Sequence, residues 1–120
     1  MPDESRIAIT FPATPEYLRL ARLTTADAAS RAGFDYEQID DLRIAVSELC
    51  ALISGALAAT LTLDFALEAH AVTVSGVARP GSLVENEFSR DIVAALVDEF
   101  DIGVDDGASR FRARKQVARR

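Results

Sequence analysis

One segment of this sequence constrains the fold more than any other, because its apolar residues repeat with the period of a helix buried along one side. Between residues 39 and 56 these residues follow each other at alternating steps of three and four: Ile39, Leu42, Val46, Leu49, Ile53 and Ala56. Such spacing places them on one stripe of an α-helix. The segment is therefore predicted to be an amphipathic helix that packs against a core.

Glu48 flanks this apolar stripe. A carboxylate at such a position is paired with a basic neighbour, solvated, or used for proton transfer, because burying an unpaired charge is costly. Two interpretations stay open from the residues alone. Glu48 is either a helix residue that leans toward water or a functional carboxylate.

The remaining periodicities predict the element order β-α-α-β-β-α-β-β. Thr14 as N-cap and Pro15 at the first helical position predict a first helix that runs to about Ala32, where Gly33 ends it. Asp35 is predicted to cap the second helix. The other predicted ranges are residues 6–11 for the first strand, 35–56 for the second helix, 60–69 and 71–78 for a hairpin with an exposed His70 at its tip, 89–100 for the third helix, and a final strand pair around residues 105–107.

This order predicts an α+β fold, a two-layer sandwich in which helices cover one face of a mostly antiparallel mixed sheet. The chain has 120 residues, of which 49% are hydrophobic and 27% are charged. That length suffices for one hydrophobic core and is too short for two. Residues 1–120 are therefore predicted to form a single domain.

Composition also limits the location and the metal chemistry of the protein. No apolar run approaches the length of a membrane span, and residues 1–5 are acidic where a secretion signal would be basic, so we expect a cytoplasmic protein with no membrane contact. Cys50 is the only cysteine, and it is predicted to be a small core residue or, alternatively, a redox sensor. His70 has no second histidine to complete a metal site, and no metal is expected.

The charge distribution argues against direct nucleic-acid binding, because the net charge is −6 and the pI is near 4.7. Basic residues nevertheless crowd the C-terminus, and between residues 109 and 115 they alternate with Phe111 and Ala113. This period of two is typical of a strand with one wet face. The pattern is either a solvated outer sheet face or a surface for an acidic partner. The residues concerned are Arg110, Arg112, Arg114, Lys115, Arg119 and Arg120.

Three stretches together resemble the RsbW-type anti-sigma factors, which are small serine kinases with the Bergerat ATPase fold. They are residues 11–13 (Phe-Pro-Ala), residues 17–22 (Tyr-Leu-Arg-Leu-Ala-Arg) and residues 39–50 (Ile-Asp-Asp-Leu-Arg-Ile-Ala-Val-Ser-Glu-Leu-Cys). The resemblance extends over nearly the whole chain. It implies the same α+β architecture as the element order, with ATP and Mg²⁺ as the family's cofactors.

The family's ATP-binding motifs are degenerate in this sequence. Glu48 matches the family's general base, but the position of the magnesium-holding asparagine is taken by Leu52, which has no oxygen ligand. The family's Asp-x-Gly, which binds adenine, corresponds to Gly76 and Ala78. No glycine stands near residues 87–90, where the family cradles phosphates with a glycine run. We therefore expect no efficient use of ATP or magnesium.

The resemblance also implies partners. In the family, a dimer of this domain holds a sigma factor, and an anti-anti-sigma protein of the STAS fold competes for an overlapping surface. An arginine of the first helix contacts both partners, and the matching residue is Arg22, with Arg19 one turn earlier on the same face. The first strand is expected to mediate the homodimer if it lies at the sheet edge.

Three functional hypotheses remain. The first is an anti-sigma factor that acts by sequestration with little or no kinase activity, and the second is an active serine kinase with a remodelled nucleotide site. Leu52, Gly76 and Ala78 favour the first hypothesis. The third is an antagonist or scaffold of another signalling pathway.

Overall fold

The fold is seen in a computed structural model that describes residues 5–56 and 58–118. Its elements follow the predicted order, and the predicted α+β class is confirmed. The strands are β1 (Ser5–Pro12), β2 (Thr60–Glu68), β3 (Ala71–Arg79), β4 (Glu99–Asp105) and β5 (Ala108–Gln116). The helices are α1 (Leu18–Arg31), α2 (Tyr36–Ile53) and α3 (Glu87–Leu96), and a short 3-10 turn (Pro15–Tyr17) precedes α1.

The five strands form one sheet in the order β1-β2-β3-β5-β4, and every neighbouring pair is antiparallel. Strands β1 and β4 therefore lie at the two edges. The helices cover one face, and α2 packs against α1 on one side and against α3 on the other. Among the helices of the described residues, none has the length and apolar character needed to cross a membrane.

The predicted boundary between α1 and α2 is confirmed in detail. Helix α1 ends at Arg31 with Ala32 as its C-cap, and Gly33 follows with a φ of +92°, a backbone conformation that a glycine adopts without strain. Asp35 then caps α2, because its carboxylate accepts the N–H of Gln38 at 2.8 Å. The side-chain oxygen of Gln38 accepts the N–H of Asp35 in return, also at 2.8 Å.

Three predicted boundaries are wrong. The third helix ends at Leu96 rather than at residue 100, because Phe100 pairs with Ala113 in the sheet. The second helix ends at Ile53, which leaves Ala56 exposed beyond it. Thr14 makes no side-chain capping bond, since the chain enters α1 through the 3-10 turn.

The core lies between the sheet and α2, and α2 is buried over a wider arc than the predicted stripe. Leu42, Val46, Leu49 and Ile53 are buried as expected, and Ile39 is half-buried. The additional buried residues of α2 are Ala45, Cys50 and Leu52. The arc is wide because α2 contacts two other helices as well as the sheet, whereas a single stripe describes a helix with one packed side.

His70 is half-buried rather than simply exposed, which corrects the sequence-based prediction. It adopts a φ of +64° at the tip of the β2–β3 hairpin. Its N–H donates to the carbonyl of Ala32 at 2.7 Å, and its own carbonyl accepts the N–H of Val117 at 2.8 Å. The hairpin tip is thereby attached both to the end of α1 and to the residue that follows β5.

Candidate functional site

The positions that correspond to the family's ATP motifs come together on α2, β3 and the start of α3. Glu48 is half-buried on α2, and neither a hydrogen bond nor an ion pair is found for it within the described ranges 5–56 and 58–118. The basic neighbour considered for Glu48 is therefore not seen in this part of the chain. Its surroundings match the interpretation of a helix residue partly open to water.

Leu52 lies one turn after Glu48 and is only 1% exposed. Residues 81–84, which we call the strap, cross this end of α2. The strap is held by backbone hydrogen bonds from Gly81 to the carbonyl of Gly107 (2.7 Å), from Gly55 to the carbonyl of Ser82 (3.2 Å) and from Val84 to the carbonyl of Leu52 (2.8 Å). The position of the family's metal ligand is thus taken by a buried apolar side chain, on a residue whose backbone carbonyl is bonded to the strap.

Side-chain hydroxyls add to this attachment. The hydroxyl of Ser109 donates to the carbonyl of Ile53 at 2.5 Å and accepts the N–H of Ser82 at 3.3 Å. Ser109 is fully buried on β5, so a single side chain joins the sheet, α2 and the strap. A segment held at so many points behaves as part of the fold rather than as a mobile lid.

Gly76 and Ala78 face the core side of β3. A Cβ atom on Gly76 would collide with the ring of Phe111, whose Cδ2 atom would lie 2.7 Å away. Ala78 is 0% exposed. The glycine therefore allows the close approach of an aromatic ring from β5, and neither residue offers a polar group to an adenine base.

The N-terminus of α3 is occupied by its own cap. The side-chain oxygen of Asn86 accepts the N–H of Ser89 at 3.1 Å, and Glu87 places a carboxylate in the first turn. In the family this region cradles phosphates, for which free N–H groups and an absence of negative charge are needed. The three motif positions therefore lack the metal ligand, the adenine carboxylate and the phosphate-binding glycines that the family uses for ATP and Mg²⁺.

A second group of predicted site residues lies on α1. Arg19 and Arg22 are both exposed, and neither has an ion pair or hydrogen bond with any other part of the chain that the structure describes. Leu20 and Leu23 are exposed beside them, at 43% and 59%. We call these four residues the α1 face. Two free guanidinium groups next to two exposed leucines can bind a partner that is both acidic and apolar.

The exposed leucines of the α1 face are absent from the sequence-based predictions. A signal for them exists, because α1 buries Ala21, Thr25 and Ala28, which are spaced by four and three residues. Leu20 and Leu23 do not belong to that series. An apolar residue outside the buried series of a helix is a candidate contact for a partner.

The basic C-terminal strand has the structure of a solvated outer sheet face. Its arginines project away from the helices and pair with carboxylates, whereas Phe111 and Ala113 are buried on the opposite face. The pairs are Arg110 with Asp105 (2.7 Å), Arg112 with Glu99 (3.4 Å) and Arg114 with Glu68 (2.9 Å). Lys115 instead donates to the carbonyl of Leu96 at 2.7 Å, and Arg119 and Arg120 lie outside the described residues.

Cys50 is fully buried in α2, and this burial raises the pKa of its thiol to about 12. We expect no reaction with a thiol-specific reagent at pH 8 over an hour under native conditions, since thiolate is the reactive form. One equivalent should react in denaturant, which is the control. The thiol of the unfolded chain ionises near pH 9, whereas the buried thiol keeps its proton. The free energy of unfolding therefore falls as the pH rises from about 9 to about 12. Rapid native labelling would instead support the redox sensor.

Comparison with known proteins places the chain in a family. A model of the histidine kinase-like ATPase domain matches residues 11–74, which is more than half of the chain. The chain belongs to this family. The predicted RsbW-type resemblance and the Bergerat fold are thus confirmed for this member of the histidine kinase-like ATPase domain family.

Among its curated relatives is the serine-protein kinase RsbW of Listeria monocytogenes, which is 58% identical over 43 residues. That alignment covers 36% of this chain and 27% of the relative. The serine-protein kinase RsbW of Bacillus subtilis is 52% identical over 44 residues, covering 37% of this chain and 28% of the relative. The chain therefore matches about a quarter of the length of these relatives.

A solved structure gives the wider comparison of the fold. The crystal structure of the RsbU and RsbW domains of Rv1364c from Mycobacterium tuberculosis superposes with a TM-score of 0.77 at 20% sequence identity. The match covers 97% of this chain and 33% of that chain. The similarity therefore extends to nearly the whole architecture of this histidine kinase-like ATPase domain.

Proposed function

We propose that this domain is an anti-sigma-factor-like regulator of transcription that sequesters a sigma factor through the α1 face. The observation that carries the proposal is the pair of exposed guanidinium groups on Arg19 and Arg22 beside exposed leucines. The match to RsbW relatives supports a partner of this class. A STAS-type anti-anti-sigma protein would compete for the same face, and the domain would act in the cytoplasm without contacting DNA itself.

The proposal includes a homodimer. Strand β1 lies at an edge of the sheet, so its outer backbone groups are available for pairing across a two-fold axis. Its residues alternate between half-buried and exposed side chains, as an edge strand needs in order to extend a sheet. The edge of β1 and the α1 face belong to different elements, a strand and a helix, so the proposed dimer contact and the proposed partner contact use different residues.

The sequestration proposal is tested by titrating a fluorescently labelled sigma factor from the source organism with the purified chain. We expect saturable binding that is the same with and without ATP and Mg²⁺, because sequestration needs no nucleotide. An added STAS protein should release the sigma factor. Failure of every sigma factor of that organism to bind at tens of micromolar chain would refute sequestration and leave the scaffold hypothesis.

A second prediction concerns the nucleotide itself. We expect no detectable ATP binding by calorimetry at about 1 mM ligand, because Leu52 offers no ligand to magnesium and the start of α3 presents Glu87 to the phosphates. The same titration without Mg²⁺ is the control and should be superimposable. Micromolar affinity for ATP would overturn the proposal of a degenerate site.

The alternative function is an active serine kinase that phosphorylates its STAS antagonist through a remodelled ATP site. One observation favours it, because Glu48 is half-buried and has no internal partner in the described part of the chain, as a general base would require. Phosphate transfer from ATP to the STAS protein that is lost in Glu48→Gln would establish this alternative. An equal signal from both chains would trace the transfer to a contaminating kinase.

A further inference from the structure

The start of α3 carries an exposed patch that is both acidic and apolar. Phe88 is 74% exposed, and Val84 is exposed close to it in the sequence. The carboxylates of Glu85, Glu87 and Asp91 are exposed as well, and they make no ion pair within residues 5–56 and 58–118. We call these five residues the α3 patch.

Packing within the chain does not account for Phe88. Helix α3 turns Ser89 and Val93 toward the interior, which leaves Phe88 and Asp91 on its outer side. A carboxylate in the first turn of a helix is favourable in itself, and this explains Glu87. It does not explain a large aromatic ring held in water, which is the type of residue that interfaces bury.

The α1 face has the opposite charge and the same mixture of polar and apolar groups. Arg19 and Arg22 lie beside Leu20 and Leu23, just as Glu87 and Asp91 lie beside Phe88. Both surfaces are about one to two helical turns long. The helical part of each surface therefore presents two charges and at least one large apolar side chain over a similar length of helix.

These two surfaces cannot meet within one chain. Helix α2 packs against α1 on one side and α3 on the other, so it separates them across the helical layer. Two copies placed side by side can bring the α3 patch of one against the α1 face of the next. Opposite charges would then meet around a contact between aromatic and leucine side chains.

We propose that the α3 patch docks on the α1 face of a second copy of this chain. The contact joins two different surfaces, so each added copy leaves one surface of each kind free, and the association continues as a chain or closes as a ring. It differs from the isologous pairing of β1 edges. It holds whether or not the α1 face also binds a sigma factor, although a sigma factor bound there would cap the assembly.

Sedimentation velocity gives the first test. We expect the weight-average sedimentation coefficient of the wild-type chain to rise between about 5 and 200 µM in low salt and to fall in about 0.5 M NaCl, since exposed charges are screened there. An edge dimer alone would reach a plateau and would resist salt. A coefficient that is independent of salt and concentration over this range would overturn the proposal.

Two variants isolate the contact. The patch variant, Glu87→Gln with Phe88→Ser, keeps an intact α1 face, and the face variant, Arg22→Gln with Leu23→Ser, keeps an intact α3 patch. By itself, neither variant should form any assembly larger than the dimer that pairs through the β1 edge. The immobilised face variant should nevertheless bind the patch variant in solution, because the mixture contains one intact copy of each surface.

A chain with all four substitutions is the control, since it retains the β1 edge and loses both surfaces. We expect the immobilised face variant to bind the patch variant at least about tenfold more tightly than this chain, and about 0.5 M NaCl should remove the difference. Equal binding of both would refute the docking.

A matched variant, Tyr36→Ser with Glu37→Gln, removes an exposed aromatic ring and a carboxylate from the first turn of α2. Its self-association should equal that of the wild-type chain, and an equal loss in this variant would show that the effect is not specific to the α3 patch. Thermal unfolding of every variant should lie near that of the wild-type chain, because all of the substituted side chains are exposed.

Discussion

Replacing Gly76 with aspartate, which restores the acidic residue of the family's adenine-binding motif, should lower the melting temperature by more than about 10 °C. A Cβ atom at this position collides with the ring of Phe111, and the added carboxylate would enter the apolar layer between the sheet and the helices. Overpacking and a buried charge together cost at least about 3 kcal/mol. In a domain of this size that cost corresponds to the stated shift, measurable by circular dichroism.

Gly103→Asp is the matched control for this experiment. Gly103 lies on the edge strand β4 with no atom within 4 Å of the position of a Cβ, and it pairs in register with Arg110. The same substitution there should change the free energy of unfolding by less than about 1 kcal/mol. If both variants melt near the wild-type temperature, packing does not require a glycine at position 76, and the prediction is wrong.

Replacing Arg22 with alanine should weaken sigma factor binding by about thirtyfold, which corresponds to about 2 kcal/mol. The guanidinium group is exposed and has no partner in the described chain, so it is free to make a charge-assisted, bidentate contact. The fold should survive, because an exposed helical arginine changed to alanine moves stability by less than about 0.5 kcal/mol. Titration of the labelled sigma factor measures the effect.

Two control variants test whether the effect is specific to Arg22. Arg79→Ala removes an exposed arginine at the end of β3, outside the α1 face, and should leave affinity within about threefold. Glu48→Gln should do the same, since sequestration does not need the proton-transfer step. Binding that is unchanged in the Arg22 variant would reject the α1 face as the sigma factor site.

Local signals in the sequence predict most of this fold. The ends of α1 and α2 follow from Gly33 and from the capping pair Asp35 and Gln38, which act within a few residues of each other. The hairpin of β2 and β3 likewise follows from alternating residues on either side of a short turn. Such features need no knowledge of distant contacts.

The wrong predictions arise where contacts between residues far apart in the sequence determine the local structure. Phe100 continues the apolar spacing of α3 but lies in β4, because pairing with Ala113 outweighs a weak local preference for helix. The end of α2 at Leu52 is bonded to the strap, which comes from a later segment of the chain. The family motif identifies Glu48, Leu52, Gly76 and Ala78, but their packing depends on segments that are distant in the sequence. The exposure of Phe88 likewise depends on which side of α3 packs against the rest of the chain.

The attachment of the strap has a consequence for how such a regulator would respond over time. In a regulator that hydrolyses ATP, each catalytic cycle takes a fixed time, and the amount of free sigma factor depends on how long the signal lasts. In the described part of this chain the strap is bonded to both α2 and the β4–β5 turn, so it does not serve as a lid that opens and closes with each cycle. Under the proposed function, free sigma factor would stay scarce until its total concentration exceeded that of the regulator, and then rise steeply. The switch point would be set by the copy numbers of the two proteins.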